Sequence, residues 1–263
     1  MFLLLLTLPL PAAAGAIPGI GEPEELLQSV RDGNKSGDYC AALADAEKLF
    51  SGHADTALFH VNEELVASAW YSCALKKKDP PLKGGRLEKE LKLLRQIHSE
   101  LKAKEDKTPF ELFVLSTAPS AEGEPYEKSA LTALLEKFPG TPPAVWADFI
   151  LTAGIRGEPA KIEEFLSRHK DSRLVPTARI LVGNWLWLSP ETVAEAVDIW
   201  KNVRRAHPAS LLDYYTAGER LSQAGEALPP EELKLRPLVL GFYMGTETNL
   251  KTLRNALENG GKR

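Results

Sequence analysis

Apolar residues recur at intervals of three and four along most of this chain, which is the spacing of an amphipathic α-helix. One stripe runs from Val193 through Trp200 to Val203, and another runs from Leu87 to Leu101. No Asn-Gly or Asp-Gly turn lies between alternating β-branched runs, so the signature of a β-hairpin is missing. The pattern therefore predicts an all-α protein.

Gly and Pro separate the helical segments from one another. Prolines stand where a helix should begin, a position that needs no N–H donor, and Thr108 and Ser189 place a hydroxyl N-cap before such a proline. The expected helices are 23–32, 36–50, 55–77, 86–105, 108–117, 125–138, 142–154, 158–169, 174–187, 190–206, 208–224, 230–242 and 246–258.

Four segments share one layout, in which a helix end and a short turn precede a helix rich in apolar and aromatic residues. They are 47–70, 136–154, 164–185 and 202–221. Helix pairs recur with a mean period close to 39 residues, which is typical of helix–turn–helix solenoids. One pair cannot bury its apolar stripe alone, whereas stacked pairs can.

The segment 36–50 resembles the first helix of a tetratricopeptide repeat, because Gly37, Tyr39, Ala42 and Glu47-Lys48 follow that repeat's layout. The turns at 138–142 and 207–210 resemble those of divergent repeats in periplasmic outer-membrane-assembly and cell-envelope coordinator proteins. The resemblance covers most of 36–258. It implies a right-handed superhelical stack of antiparallel helix pairs that binds proteins in a concave groove, without a cofactor or catalysis.

Residues 2–14 are apolar, and no charged side chain precedes Glu22. The run is too short to span a bilayer and fits a signal peptide over 1–16, although a basic n-region is missing. An uncleaved anchor and a buried strand are the alternatives. We expect an exported, periplasmic or extracellular protein with a repeat domain over 17–258, a candidate break at 79–85 and a tail at 259–263.

Cys40 and Cys73 are the only cysteines. An even count in an exported chain permits one disulfide, and two buried thiols are the alternative. With a turn near 51–55, the two residues would be offset by about 10 Å along their helices, or by about 6 Å if the turn is longer. A bridge requires Cα atoms within roughly 7 Å, so the pattern leaves the pairing open.

The chain has 263 residues and a net charge of −4, which does not favour a nucleic-acid-binding protein. Its charge is unevenly distributed, because residues 76–107 carry +5 and the remainder carries −9. Lys89, Lys92 and Arg95 in this segment are candidates for contact with anionic lipid or an acidic partner. A solvated helix face is the alternative.

Catalytic motifs are missing from the sequence. It contains no His-Glu-x-x-His, no Gly-x-Ser-x-Gly and no phosphate-binding Gly-rich loop. His60 stands one helical turn from Glu63 and Glu64, but two kinds of ligand do not complete a metal site, so a solvated helix face is expected there. We therefore expect no enzyme, no metal and no cofactor.

Aromatic residues concentrate in 146–215, and five are candidates for partner binding because Trp and Tyr are frequent in binding hot spots. Core packing is the alternative for most of them. Trp185 and Trp187 point about 200° apart on a helix, so one should leave the core. The five candidates are Trp146, Trp185, Trp187, Tyr214 and Tyr215.

These patterns favour an exported helical-repeat scaffold that binds a protein or peptide partner of the cell envelope. The first alternative is a peptidoglycan- or carbohydrate-associated module that uses the aromatic residues for stacking. The second is an enzyme without a recognisable motif.

Overall fold

The leucine- and alanine-rich segments form helices, as their spacing predicts. A computed structural model describes residues 20–78, 86–117, 126–153, 158–246 and 248–260, of which 78% are helical and none is in a strand. The predicted signal peptide and the candidate break at 79–85 lie outside these residues. The α-helices of the described part are α1 (Glu22–Ser36), α2 (Tyr39–His53), α3 (Ala57–His60), α4 (Glu63–Lys78), α5 (Arg86–Ala103), α6 (Pro109–Ser116), α7 (Lys128–Lys137), α8 (Pro142–Thr152), α9 (Pro159–Arg168), α10 (Val175–Leu186), α11 (Val193–Ala206), α12 (Leu211–Gln223), α13 (Pro230–Tyr243) and α14 (Leu250–Gly260).

The two hydroxyl–proline start signals have different outcomes. Thr108 caps α6 as predicted, since its hydroxyl accepts from the Glu111 N–H at 3.2 Å and the Glu111 carboxylate accepts from the Thr108 N–H at 2.8 Å. Ser189 does not cap a helix, because its hydroxyl donates to the Glu191 carboxylate instead. A 3₁₀ turn at Pro190–Thr192 therefore precedes α11.

The single helix predicted over 55–77 is wrong, because α3 and α4 divide the segment. The Thr56 hydroxyl accepts from the Phe59 N–H and begins the short α3. The Asn62 N–H then donates to the Phe59 carbonyl at 2.9 Å, and the Asn62 carbonyl accepts from Val66 at 3.0 Å, which starts α4. Helix α4 therefore begins later than the apolar pattern indicates.

Three of the repeated turns have the same backbone conformation. Phe138, His169 and His207 end α7, α9 and α11 with φ values of −130°, −123° and −127° and ψ values of 47°, 49° and 51°. In each turn the N–H three residues later, at Thr141, Ser172 or Ser210, donates back to that residue's carbonyl. The three turns thus share one local geometry, which is compatible with the predicted repetition, and consecutive helices pack on one another along the chain.

The main core holds buried side chains from Leu27 in α1 to Leu257 in α14. Its aromatic centre brings Phe50, Phe59, Phe113 and Trp146 within ring-contact distance. Helices distant in sequence also meet, with α2 against α8 and α1 against α14. Helix α14 therefore covers part of the N-terminal helix of the described chain.

A disulfide joins Cys40 in α2 to Cys73 in α4, with the Cα atoms 4.8 Å apart. Cys40 lies thirteen residues before the end of α2, and Cys73 lies ten residues after the start of α4. The three-residue difference corresponds to about 4.5 Å of helix rise, so the late start of α4 brings the cysteines together. No helix among the described residues has the length and apolar content needed to cross a membrane.

Candidate functional site

A buried carboxylate is the centre of the candidate site. Glu63, the first residue of α4, is 5% exposed. Its Oε1 accepts from the Trp146 Nε1–H at 2.7 Å and lies 2.6 Å from Nδ1 of His60, while its Oε2 accepts from the Tyr126 hydroxyl at 2.7 Å. An ionised carboxylate accepts only, so three groups from different parts of the chain donate to it.

The tyrosine of this network is held in its neutral, hydrogen-bond-donating form. Burial raises the pKa of Tyr126 above its ordinary value, and the negative charge of Glu63 raises it further. Deprotonation would place a phenolate beside a carboxylate in a partly buried position, which both effects disfavour. The Glu63 network therefore fixes the position of the segment before α7 relative to α4.

A polar cleft opens above this network and has a volume of about 850 Å³. It is lined by α1, the junction between α3 and α4, Tyr126, and the connection between α13 and α14. His60, Glu63 and Tyr126 all contribute to its surface. The residues that hold the core together are thus also accessible to a bound molecule.

Hydrogen bonds between the two ends of the chain fix the walls of the polar cleft. Arg31 of α1 donates to the carbonyls of Phe242 and Tyr243 at 2.5 and 3.0 Å and to Oδ1 of Asn62 at 2.9 Å. Asn62 in turn donates to the Tyr243 carbonyl at 3.1 Å. Arg31 and Asn62 thereby bind the last two carbonyls of α13, and the Phe242 carbonyl also accepts from the Gly245 N–H at 3.2 Å.

Two large apolar side chains stand exposed at the polar cleft. Val61 is 42% exposed and Met244 is 66% exposed, and both line it. Exposed charged residues of both signs, Asp32, Lys35 and Glu64, lie beside them. The surface therefore offers apolar contact and directed hydrogen bonds together, which suits a peptide better than a purely apolar ligand.

The structure corrects the interpretation of His60 and Glu63. Sequence reasoning placed this pair on a solvated helix face, whereas Glu63 is buried and His60 is bound to it. The sequence patterns did not predict that Tyr126 and Trp146 donate hydrogen bonds to Glu63, or that Arg31 bonds to the end of α13 beside it. Among the described residues, no group of three or more His, Cys, Asp or Glu side chains is placed to hold a metal ion.

The predicted aromatic binding residues do not assemble into one site. Trp146 and Tyr215 are fully buried in the core, so they cannot contact a partner, and this part of the prediction is corrected. Trp187 packs on Trp200 with ring centroids 5.5 Å apart. Tyr214 lies under the guanidinium of Arg204, which is 4.5 Å from the ring centroid and donates to its hydroxyl. Trp187 and Tyr214 therefore pack against other side chains of this protein, as the core-packing alternative predicts.

Trp185 is the exception, since it is 49% exposed. The prediction that Trp185 and Trp187 face different environments is therefore confirmed. The predicted basic candidates Lys89, Lys92 and Arg95 are exposed on α5, and none of them lines the polar cleft.

Asp213 in the first turn of α12 is a second buried carboxylate. It accepts hydrogen bonds from Thr177 at 2.9 Å and from Ser210 at 2.5 Å. Burial raises the pKa of Asp213 to about 6, although the two hydrogen bonds and the nearby His60 oppose the shift. Desolvation dominates because Asp213 has no cationic hydrogen-bond partner among the described residues.

Asp213→Asn is expected to change the pH dependence of stability. The native state holds the Asp213 proton more tightly than the unfolded state, so this contribution is present below about pH 4 and is lost as the pH rises through about 6. Relative to the variant, the wild type should therefore lose roughly 2 kcal/mol of unfolding free energy between pH 4 and 7. Urea unfolding across this range tests it, with Asp198→Asn on the exposed face of α11 as the control. A constant difference between wild type and Asp213→Asn would contradict the assignment.

Comparison of the chain with family models, curated proteins and solved structures finds no match in any of the three. The interpretation of the polar cleft consequently depends on its own residues and geometry.

Proposed function

We propose that this protein is an exported, non-catalytic helical-repeat module that binds a peptide segment of a cell-envelope protein in the polar cleft. The observation that carries the proposal is the placement of two exposed apolar side chains, Val61 and Met244, beside polar groups that are already fixed. A peptide supplies the apolar side chains and the backbone donors and acceptors that such a surface can bind.

The size and rigidity of the polar cleft support this proposal. Its volume of about 850 Å³ lies within the usual range for ligand sites. Arg31 and Asn62 hold the walls through bonds to the Tyr243 carbonyl, so little ordering is required when a ligand binds. A site that is fixed before binding loses less affinity to ordering of its own groups.

The repeated turns at Phe138, His169 and His207 support a relationship to tetratricopeptide-like repeats, with antiparallel pairs in a right-handed superhelix. Such repeats commonly present a concave surface for binding. Here the aromatic residues expected on that surface, Trp146 and Tyr215, belong to the core. We therefore place recognition at the polar cleft rather than in a concave groove.

The disulfide and the apolar N-terminal run both support the proposal that the protein is exported. Disulfides persist in oxidising compartments, and Cys40 and Cys73 are bridged. The apolar run at 2–14 fits a signal peptide that would deliver the chain there.

Affinity capture from an envelope extract tests the function. The bait is the exported chain, and the test variant carries Val61→Asp and Met244→Asp, which place charges on the apolar part of the polar cleft. The control is Leu188→Asp, since Leu188 is 79% exposed and lies outside the cleft. Loss of hot-spot contacts should reduce recovery of the captured partner by at least about 30-fold in the cleft variant alone.

Equal recovery with the cleft variant and the wild type would contradict the proposal. Sedimentation with purified peptidoglycan separates the carbohydrate alternative. Binding that is lost in Trp185→Ala and retained in the cleft variant would favour stacking on the exposed indole instead.

A further inference from the structure

Four cations form a row on the outer face of α5. Lys89, Lys92, Arg95 and Lys102 are separated by three, three and seven residues, a spacing that keeps them on one side of a helix. All four are exposed. The opposite side of α5 buries Ile97 and Leu101, and the helix packs against α4 and α6. We call these four residues the basic row.

The basic row has no partner in the described part of the chain, since none of its members forms an ion pair or a hydrogen bond there. Neighbouring lysines do find partners, as Lys78 pairs with Glu100 at 2.5 Å and Lys104 pairs with Glu111 at 2.7 Å. Like charges three residues apart slightly destabilise a helix. Folding therefore gains nothing evident from Lys89 and Arg95, whereas Lys92 stands four residues after the exposed Glu88, a spacing that slightly stabilises a helix.

The uneven charge of the chain would orient the molecule with the basic row toward a negative surface. The segment 76–107 carries +5 while the rest of the chain carries −9, so the molecule has a large electrical asymmetry. A negative surface would attract this segment and repel the remainder. The molecule would consequently be oriented with α5 facing that surface before any contact forms.

An apolar side chain lies at the edge of the same face. Leu91 is 44% exposed, and it lies one helical turn before Arg95. Helices that lie on a bilayer combine cations with apolar side chains in this way, because the apolar group enters the head-group region while the cations meet the phosphates.

We propose that the outer face of α5 docks the protein on an anionic lipid bilayer. An exposed helix face matches a flat array of phosphates, whereas an acidic peptide is better held in a groove. The polar cleft of about 850 Å³ and a second cavity of about 530 Å³ are both lined by residues outside α5. This inference is independent of the peptide proposed for the polar cleft.

Co-sedimentation with lipid vesicles tests the basic row. The probes are vesicles of phosphatidylcholine alone and of phosphatidylcholine with phosphatidylglycerol, used with the exported chain. The test variant is Lys89→Gln, Lys92→Gln and Arg95→Gln. The matched control is Lys137→Gln, Lys161→Gln and Lys170→Gln, which removes the same charge from exposed positions outside α5.

The wild type and the control should bind the anionic vesicles, and neither should bind phosphatidylcholine alone. Each cation at an anionic membrane is worth about fivefold in partitioning, so the α5 variant should bind roughly 100-fold more weakly. Binding should also decrease steeply with added salt. Equal loss in both triple variants, or no binding of the wild type to anionic vesicles, would overturn the proposal. Binding to polyglutamate but not to vesicles would assign the basic row to an acidic protein instead.

Discussion

Replacing Trp146 by alanine is expected to lower the free energy of unfolding by about 3 to 5 kcal/mol. The indole is fully buried, and its ring centroid lies 5.2 Å from that of Phe113 and 5.8 Å from that of Phe59. Alanine would leave a cavity among these rings and remove one donor from Glu63. Urea unfolding followed by circular dichroism measures the loss.

Two further variants separate the packing from the hydrogen bond. Trp146→Phe keeps a ring in the core but removes the Nε1–H, so it should cost about 1 to 3 kcal/mol. Trp185→Ala truncates a half-exposed indole and should cost less than about 1 kcal/mol. If Trp146→Ala were as mild as Trp185→Ala, the Trp146 indole would not be packed in the aromatic centre of the core.

Removal of the disulfide should have the second largest effect. The Cys40–Cys73 bridge closes 33 residues, and the chain-entropy model assigns such a loop about 3 to 4 kcal/mol of stabilisation. The double variant Cys40→Ser and Cys73→Ser should therefore unfold at a markedly lower urea concentration. Wild type in reductant should unfold at the same concentration as the variant in the absence of reductant.

Thiol labelling of unreduced, denatured protein supplies the direct check. Protein recovered from the oxidising compartment should show no reactive thiol. Two labelled thiols per chain would show that the bridge does not form, and in that case the reductant should leave the unfolding curve unchanged.

Helix positions could be predicted because their signals are local. Thr108 followed by Pro109 defines the start of α6 through contacts with Glu111, three residues away. The turns at His169 and His207 repeat because each ends a helix and bonds to a residue three positions later. Such features depend on neighbours in the chain, so their residues can be read directly from the sequence.

The polar cleft could not be predicted, since its contacts join residues far apart in the chain. Glu63 and Trp146 are 83 residues apart, and Arg31 and Tyr243 are 212 apart. In the helix predicted over 55–77, Glu63 lies in the interior, where an exposed polar face alone explains a carboxylate. Glu63 differs from other helical carboxylates only through the hydrogen bonds from Trp146 and Tyr126, which the fold brings to it.

The disulfide also could not be settled from the sequence, because its geometry depends on a contact between distant residues. Its geometry depends on where α4 begins, and Asn62 sets that point because its side chain donates to the carbonyls of Leu58 and Tyr243. Tyr243 is contributed by the opposite end of the chain. The apolar pattern of 55–77 contains no sign of this contact and favours a continuous helix.

Site-specific photo-cross-linking tests the central claim most directly, because it reports which surface contacts the partner. A photo-reactive amino acid would replace Val61 in the polar cleft in one version of the chain and Leu188, which is exposed in the turn after α10, in another. Each version would be irradiated in the oxidising compartment. The polar-cleft proposal predicts a discrete cross-linked protein from position 61, with peptides of one partner identified by mass spectrometry, and none from position 188. Cross-links from position 188 with none from position 61 would contradict it.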